Sequence, residues 1–170
     1  IRNSSFSSHV FIQPNDEIKA AIQLVNDAKL EAHVKWLSSF ANRYHRDAKP
    51  NKHIDPVIEV IEDIIEDSPF PVSVEKVSHQ NTKQHSIRVR IQGAERSDEV
   101  VVLGGHLDSI NGSFFGKRLA PGADDNASGS SNLLEILRIL MLQEQPERSI
   151  EIFWYAGEEG GLIGSAEIAK

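Results

Sequence analysis

The stretch VVVLGGHLDS, residues 100–109, passes from an apolar run to two glycines, a histidine and an aspartate. A continuous apolar run bounded by turn residues is typical of a buried strand. The run SIEIFWY at residues 149–155 has the same character, and the apolar segment at residues 128–144 between the two predicts a largely buried helix. Strand, helix and strand in this order predict a right-handed crossover and a parallel pair of strands. A further helix is expected to begin within residues 160–170.

The chain before this unit predicts the remaining elements. Apolar residues at helical spacing predict an amphipathic helix over residues 29–45, and Asp55-Pro56 predicts an N-cap with proline at the first position of a second helix. Alternating residues within 72–76 and 87–91 predict an antiparallel hairpin. The hairpin and the parallel pair together predict an α/β fold, a three-layer α/β/α domain with a mixed sheet.

Composition and charge limit the classes of partner. The chain has 18 lysines and arginines against 25 aspartates and glutamates, a formal net charge of −7, and no cysteine. An acidic chain lacks the basic face that nucleic acid requires, and no apolar run reaches the roughly 18 residues of a membrane span. We therefore expect neither nucleic acid nor a membrane as a partner, and any metal must bind through nitrogen and oxygen. Residues 1–28 are expected to form an N-terminal lead-in with a helix, and residues 29–170 to belong to one domain.

Side chains that can bind metal follow the two predicted parallel strands. The first strand ends in His106 and Asp108, its outgoing loop carries two adjacent aspartates within APGADDNASG, and the second strand runs into Glu158 and Glu159. Open α/β sheets bind ligands beyond the carboxyl ends of their strands, so we expect these loops to meet. Carboxylates brought this close repel one another unless a cation lies among them. Imidazole and carboxylates without sulfur suit zinc best.

Each of these groups also has a structural alternative. The histidine could be a structural hydrogen-bonding residue, the Asp-Asp-Asn run could cap the following helix, and the two glutamates could be first-turn carboxylates that favour a helix dipole. In the metal interpretation, Asp108 accepts a hydrogen bond from the second ring nitrogen of His106 and fixes its tautomer. Adjacent glutamates diverge from the backbone, so one can hold metal while the other stays free to carry a proton.

The motifs GGHLDS, APGADDNASG and YAGEEGGLIGSAEIA, in this order and at this spacing, resemble three consecutive motifs of the co-catalytic zinc aminopeptidases of the secreted bacterial leucyl aminopeptidase type. FANRYH and VEKVSH upstream are also similar to the family, so the resemblance covers roughly residues 30–170. It implies a phosphorylase/hydrolase-like fold and hydrolysis of the N-terminal residue, bulky and apolar like leucine, from peptide substrates.

The resemblance also implies a role for each site residue. His106 would bind one zinc ion, and Asp108 would orient it. Asp125 would bridge two zinc ions, and the peptide bond that follows it is typically cis in this family. Glu159 would bind the other ion, and Glu158 would be the general base toward a water activated by the two ions.

The family site needs two further zinc ligands downstream of the glutamate pair, an aspartate and a histidine, which this chain does not contain. We therefore expect the chain to be the N-terminal part of a catalytic domain, inactive alone, with the C-terminal part of the same domain as a partner. Family members are often exported, which predicts a secreted or periplasmic protein. Two alternatives stay open: a single-zinc cyclase or carboxypeptidase on the same fold, and a non-catalytic binding homologue.

Overall fold

The computed structural model describes residues 15–112 and 119–170. Five α-helices and four β-strands form in these residues. The helices are α1 (Asp16–Ile22), α2 (Asp27–Ser39), α3 (Ile54–Ile65), α4 (Gly129–Leu140) and α5 (Ile163–Ile168). The strands are β1 (Val72–Val77), β2 (Ser86–Ile91), β3 (Arg96–His106) and β4 (Arg148–Tyr155). No helix in the described part of the chain has the length and apolar character needed to cross a bilayer.

The four strands form one mixed sheet in the order β1-β2-β4-β3. Strand β2 is antiparallel to both β1 and β4, whereas β3 and β4 are parallel. The predicted hairpin, the predicted parallel pair and the α/β class with a mixed sheet are therefore confirmed. Because β3 and β4 run in the same direction, their carboxyl ends meet at one edge of the sheet, where His106 lies opposite Tyr155.

The hydrophobic core lies between one face of the sheet and helices α2, α3 and α4. Alternation along β2 places Ile87, Val89 and Ile91 on this face, and all three are fully buried. Ile152 and Trp154 of β4 join them in the same cluster. Burying one aliphatic side chain of this size contributes about 1.5–3 kcal/mol to the free energy of unfolding. The buried side chains of β2 and β4 therefore stabilise the part of the sheet from which the site loops emerge.

The helix predicted over residues 29–45 is shorter than expected. It corresponds to α2, which ends at Ser39. The following residues are extended: Asn42 forms a bridge with Ala120, and the Arg43 side chain enters the interior, where it is fully buried. A continued helix could not make these contacts, so the predicted end of the helix is wrong.

Two further helix predictions are wrong in detail. Asp55 is not the N-cap of α3, because His53 holds that position and Asp55 lies in the first turn. Pro56 is compatible with the first turn because the N–H groups there have no intrahelical acceptor. The helix predicted over residues 128–144 is α4, which ends at Leu140.

The prediction that the VVVL run is buried is wrong for its valines. Val100, Val101 and Val102 are 40%, 45% and 55% exposed. The reason is position, because β3 is the outermost strand of the sheet formed by the described residues. Strand β4, which has a neighbour on each side, is buried as predicted.

The helix expected within residues 160–170 is confirmed as α5. The division of the chain at residues 28 and 29 stays a prediction. Residues 1–14 of the predicted lead-in lie outside the described residues.

Candidate metal centre

Two glycines with left-handed backbone precede the loops that carry carboxylates. Gly122, with φ 49°, precedes the irregular helical turn Ala123–Ser128, and Gly157, with φ 63°, precedes the 3-10 turn Glu158–Gly160. Glycine adopts a positive φ without the steric cost that a Cβ atom brings. The chain can therefore turn sharply before each carboxylate-bearing segment.

The predicted site residues of the three loops lie together. One ligand atom from each of His106, Asp125 and Glu159 lies within 4.8 Å of the other two. His106 Nε2 lies 2.9 Å from Asp125 Oδ1 and 3.9 Å from Glu158 Oε2. The structure thus brings Asp125, and not Asp124, into the group, and Glu158 lies beside it. In residues 15–112 and 119–170 this is the one group of at least three such side chains with a metal-binding arrangement.

Asp108 joins the end of β3 to the glutamate turn. Its fully buried carboxylate accepts hydrogen bonds from the main-chain N–H of Glu158 (3.0 Å) and of Glu159 (3.2 Å). His106 Nδ1 lies 3.2 Å from the main-chain oxygen of Asp108 and 3.5 Å from its Oδ1. The nearer acceptor for Nδ1 is thus the main-chain oxygen of Asp108, with the carboxylate beside it, and that carboxylate holds the turn that presents both glutamates.

Negative charge accumulates in this group. Burial and the nearby charges of Asp125 and Asp108 raise the pKa of Glu159. Burial would lower the pKa of His106, but the hydrogen bond and charge of Asp108, with the charges of Glu158 and Asp125, raise it above its ordinary value. Nearby carboxylates contribute to both shifts, and a bound cation would neutralise their charge. One imidazole and two carboxylates match the ligands of zinc, so the residues present fit this metal.

The main chain of His106 is held from the start of α4. Asn126 Nδ2 and Ser130 Oγ both donate to the His106 carbonyl oxygen, at 3.1 and 3.0 Å. Asn126 Oδ1 accepts from the N–H of Gly129, the first residue of α4, at 3.0 Å. The Asp125–Asn126 peptide bond is cis, as the resemblance implies.

Sequence reasoning missed two polar residues beside the site. Arg43 and Gln84 are both fully buried. Arg43 Nε donates to the carbonyl of Leu107 at 2.8 Å, and Gln84 Oε1 accepts from the N–H of Gly157 at 3.1 Å. The signal for Arg43 was its place in FANRYH, a segment similar to the family; nothing in the sequence marks Gln84.

The fold and this group of side chains define an α/β protein with a candidate metal centre at the carboxyl ends of two parallel strands. The chain belongs to peptidase family M28, whose family model matches residues 86–170. The family resemblance drawn from the three motifs is thus confirmed.

Individual relatives agree with this assignment. The chain is 35% identical over 159 residues to leucine aminopeptidase 1 of Metarhizium robertsii. The aligned region covers 90% of this chain and 40% of that protein. The chain is 38% identical over 165 residues to leucine aminopeptidase 1 of Trichophyton equinum, and the aligned region covers 92% of this chain and 43% of that protein. The solved structure of Legionella LapA superposes with a TM-score of 0.79 at 25% identity, covering 93% of this chain and 43% of LapA. The chain therefore spans about 40% of the length of the relatives it matches.

Proposed function

We propose that the protein carrying this chain is an exported, zinc-dependent aminopeptidase that removes a bulky apolar N-terminal residue, such as leucine, from peptides. The observation that carries the proposal is the convergence of His106, Asp125 and Glu159 to within 4.8 Å. Membership of a peptidase family supports peptide substrates, and the names of two relatives support the aminopeptidase reaction and the preference for leucine. Export rests on the resemblance to a family whose members are often exported.

His106, Asp125 and Glu159 are the proposed zinc ligands. When bound, zinc would act as a Lewis acid that polarises the scissile carbonyl and lowers the pKa of a bound water molecule toward neutrality. Asp125 offers two carboxylate oxygens and would be the ligand common to the two zinc ions that the family resemblance implies. Asp108 lies against His106 Nδ1 and so leaves Nε2 for the metal. Because the chain spans about 40% of the length of its relatives, we propose that the remaining ligands lie outside it, and the chain alone is expected to be inactive.

Glu158 is the proposed general base. Its side chain is 37% exposed, and its Oε2 lies 3.9 Å from His106 Nε2. The carboxylate therefore reaches solvent at the edge of the ligand group, while Asp108 fixes its main chain. Glu158 Oε2 accepts a proton from the attacking water and then passes it to the nitrogen of the leaving amine, which departs neutral.

Metal removal and one substitution test this proposal on the full-length protein. Treatment with a chelator is expected to abolish release of leucine from a chromogenic leucine amide, and added Zn²⁺ is expected to restore it. Glu158→Gln is expected to keep its zinc content and to lose roughly 10²–10⁴-fold in kcat, because the variant cannot accept the proton. The exposed Glu144→Gln is the matched control and is expected to behave as wild type. Wild-type kcat in Glu158→Gln would rule out Glu158 as the base.

Product analysis separates the remaining alternatives. An aminopeptidase releases the N-terminal amino acid, a glutaminyl cyclase releases ammonia and leaves a cyclised N-terminus, and a carboxypeptidase releases the C-terminal residue. Ammonia release or C-terminal trimming without release of leucine would contradict the proposal. A non-catalytic binding homologue would bind zinc and convert none of these substrates.

A further inference from the structure

Arg43 is a fully buried cation whose side chain bonds only to main-chain oxygens in the described part of the chain. Its guanidinium donates to four carbonyls: Nε to Leu107 (2.8 Å), Nη1 to Leu37 (2.8 Å) and Pro121 (2.6 Å), and Nη2 to Gly122 (3.0 Å). Arginine presents its donors in a rigid planar fork, so it can hold several carbonyls at fixed separations. A lysine ammonium has three donors on one atom and cannot span the same set.

The four carbonyls belong to segments that carry the metal-binding side chains or the core. Leu107 lies between His106 and Asp108 at the end of β3. Pro121 and Gly122 lead directly into the turn Ala123–Ser128, which contains Asp125. Leu37 is a fully buried residue of α2. One guanidinium therefore ties two ligand loops to each other and to the core.

The main chain of Arg43 extends the same network to the third loop. Its N–H donates to Ser109 Oγ at 3.0 Å, and Ser109 Oγ donates to the Ala120 carbonyl at 2.6 Å. Its carbonyl accepts from Gln84 Nε2 at 2.9 Å, and Gln84 Oε1 accepts the N–H of Gly157, directly before the glutamate pair. All three loops of the site are thus linked through Arg43.

The charge of Arg43 acts on the same site. None of its hydrogen-bond acceptors is a carboxylate, and a buried cation without compensating charge is costly. Burial lowers the pKa of Arg43 to about 10, and the charges of Asp108 and Asp125 oppose that shift. The side chain is therefore charged at neutral pH, and the carboxylates that stabilise it belong to the candidate metal centre.

We propose that Arg43 is a positioning residue of the metal centre: it holds the loops of His106 and Asp125 at the separation at which their ligand atoms converge, and its charge offsets part of the repulsion among the carboxylates. The proposal rests on the metal centre proposed above. Arg43 is buried and does not touch substrate, so its effect is expected on metal affinity and kcat, with KM nearly unchanged.

Two substitutions in the full-length protein test this role. Arg43→Met removes both the positive charge and the planar set of guanidinium donors. Arg43→Lys keeps the charge and loses that planar set of donors. The exposed Arg46→Met, three residues further along the chain, removes the same charge and is the matched control. Calorimetric titration of the chelator-stripped protein with Zn²⁺ measures the affinity, a thermal melt without metal checks the fold, and kcat and KM are measured with saturating zinc.

Arg43→Met is expected to bind Zn²⁺ at least about tenfold more weakly than wild type, the loss typical when a residue that supports a metal ligand is removed. Arg43→Lys is expected to recover part of this loss, and Arg46→Met to match wild type. A folded Arg43→Met with wild-type zinc affinity would overturn the proposal, even if its melting temperature fell. If Arg43→Met does not fold, Arg43→Lys decides, and wild-type affinity in that variant would overturn the proposal. A wild-type protein that binds no zinc would refute the metal centre itself, which is a different result.

Discussion

His53 makes the free energy of unfolding depend on pH. Its side chain is fully buried at the start of α3, and Gln84 Nε2 lies 3.4 Å from its Nε2. Burial lowers the pKa of His53 to about 3 from an ordinary 6.5. The charges of Arg43 and Lys52 contribute to this lowering, whereas the charge of Asp47 opposes it. The folded protein therefore keeps His53 neutral at pH values where the unfolded chain protonates it.

The sign and size of the effect follow from this difference. Between pH 6.5 and about 3 the unfolded state binds one more proton than the folded state, so the free energy of unfolding falls as the pH falls. The contribution of His53 is fully present above pH 6.5. It decreases by about 1.4 kcal/mol at pH 5.5 and by about 2.7 kcal/mol at pH 4.5, since one unit of pKa difference corresponds to about 1.4 kcal/mol.

Urea unfolding of the metal-free full-length protein measures this loss. Wild type and His53→Phe are compared at pH 7.5, 6.5, 5.5 and 4.5, because phenylalanine is similar in size and does not titrate. Other titrating groups are common to both proteins, so the difference between the two curves isolates His53. The stability of wild type relative to His53→Phe is expected to fall by about 1.4 kcal/mol between pH 7.5 and 5.5. Parallel curves over the whole range would refute the reasoning.

The remaining predictions concern the glutamate turn and the core. Asp108→Asn replaces one carboxylate oxygen with an NH2 group, which donates and cannot accept, so one of the two N–H groups of Glu158 and Glu159 loses its acceptor. The variant is expected to bind zinc roughly 10–100-fold more weakly, measured by titration with Zn²⁺. Unchanged affinity would show that the turn does not need this carboxylate. Leu134→Ala removes a fully buried side chain and is expected to cost about 2–5 kcal/mol in the free energy of unfolding. Ile136→Ala, on the 38% exposed side chain of the same helix, is its control, and an equal cost in both would contradict the described packing.

The sheet was predictable where side-chain alternation and chain order decide the structure. The alternation of apolar and polar residues within 87–91 predicts which side chains point to the core. The order strand, helix, strand predicts the parallel pair of β3 and β4. The position of a strand within the sheet leaves no such trace. The apolar run at residues 100–102 would have the same sequence pattern in a central or an outermost strand. In the structure it lies in the outermost strand of the described sheet, and its side chains are exposed.

The site was predictable to the extent that it consists of side chains at the ends of strands. His106, Asp125 and Glu159 are marked by residue type and by their place at the end of β3 or in the segments that follow β3 and β4. Arg43 and Gln84 could not be found in this way, because their main partners are main-chain oxygens and N–H groups. Every residue except proline carries both groups, so the sequence contains no pattern that identifies these partners.

A chain of hydrogen bonds connects the middle of the core to His106, one of the proposed zinc ligands. Trp154 Nε1 donates to the Ser130 carbonyl at 3.1 Å, Ser130 Oγ donates to the His106 carbonyl, and Trp154 itself is fully buried. Displacement of α4 against the sheet would therefore move the imidazole. Engineering that repacks this core for thermostability would also alter the geometry of the candidate metal centre, so variants selected for heat resistance alone should be screened for zinc affinity at every round.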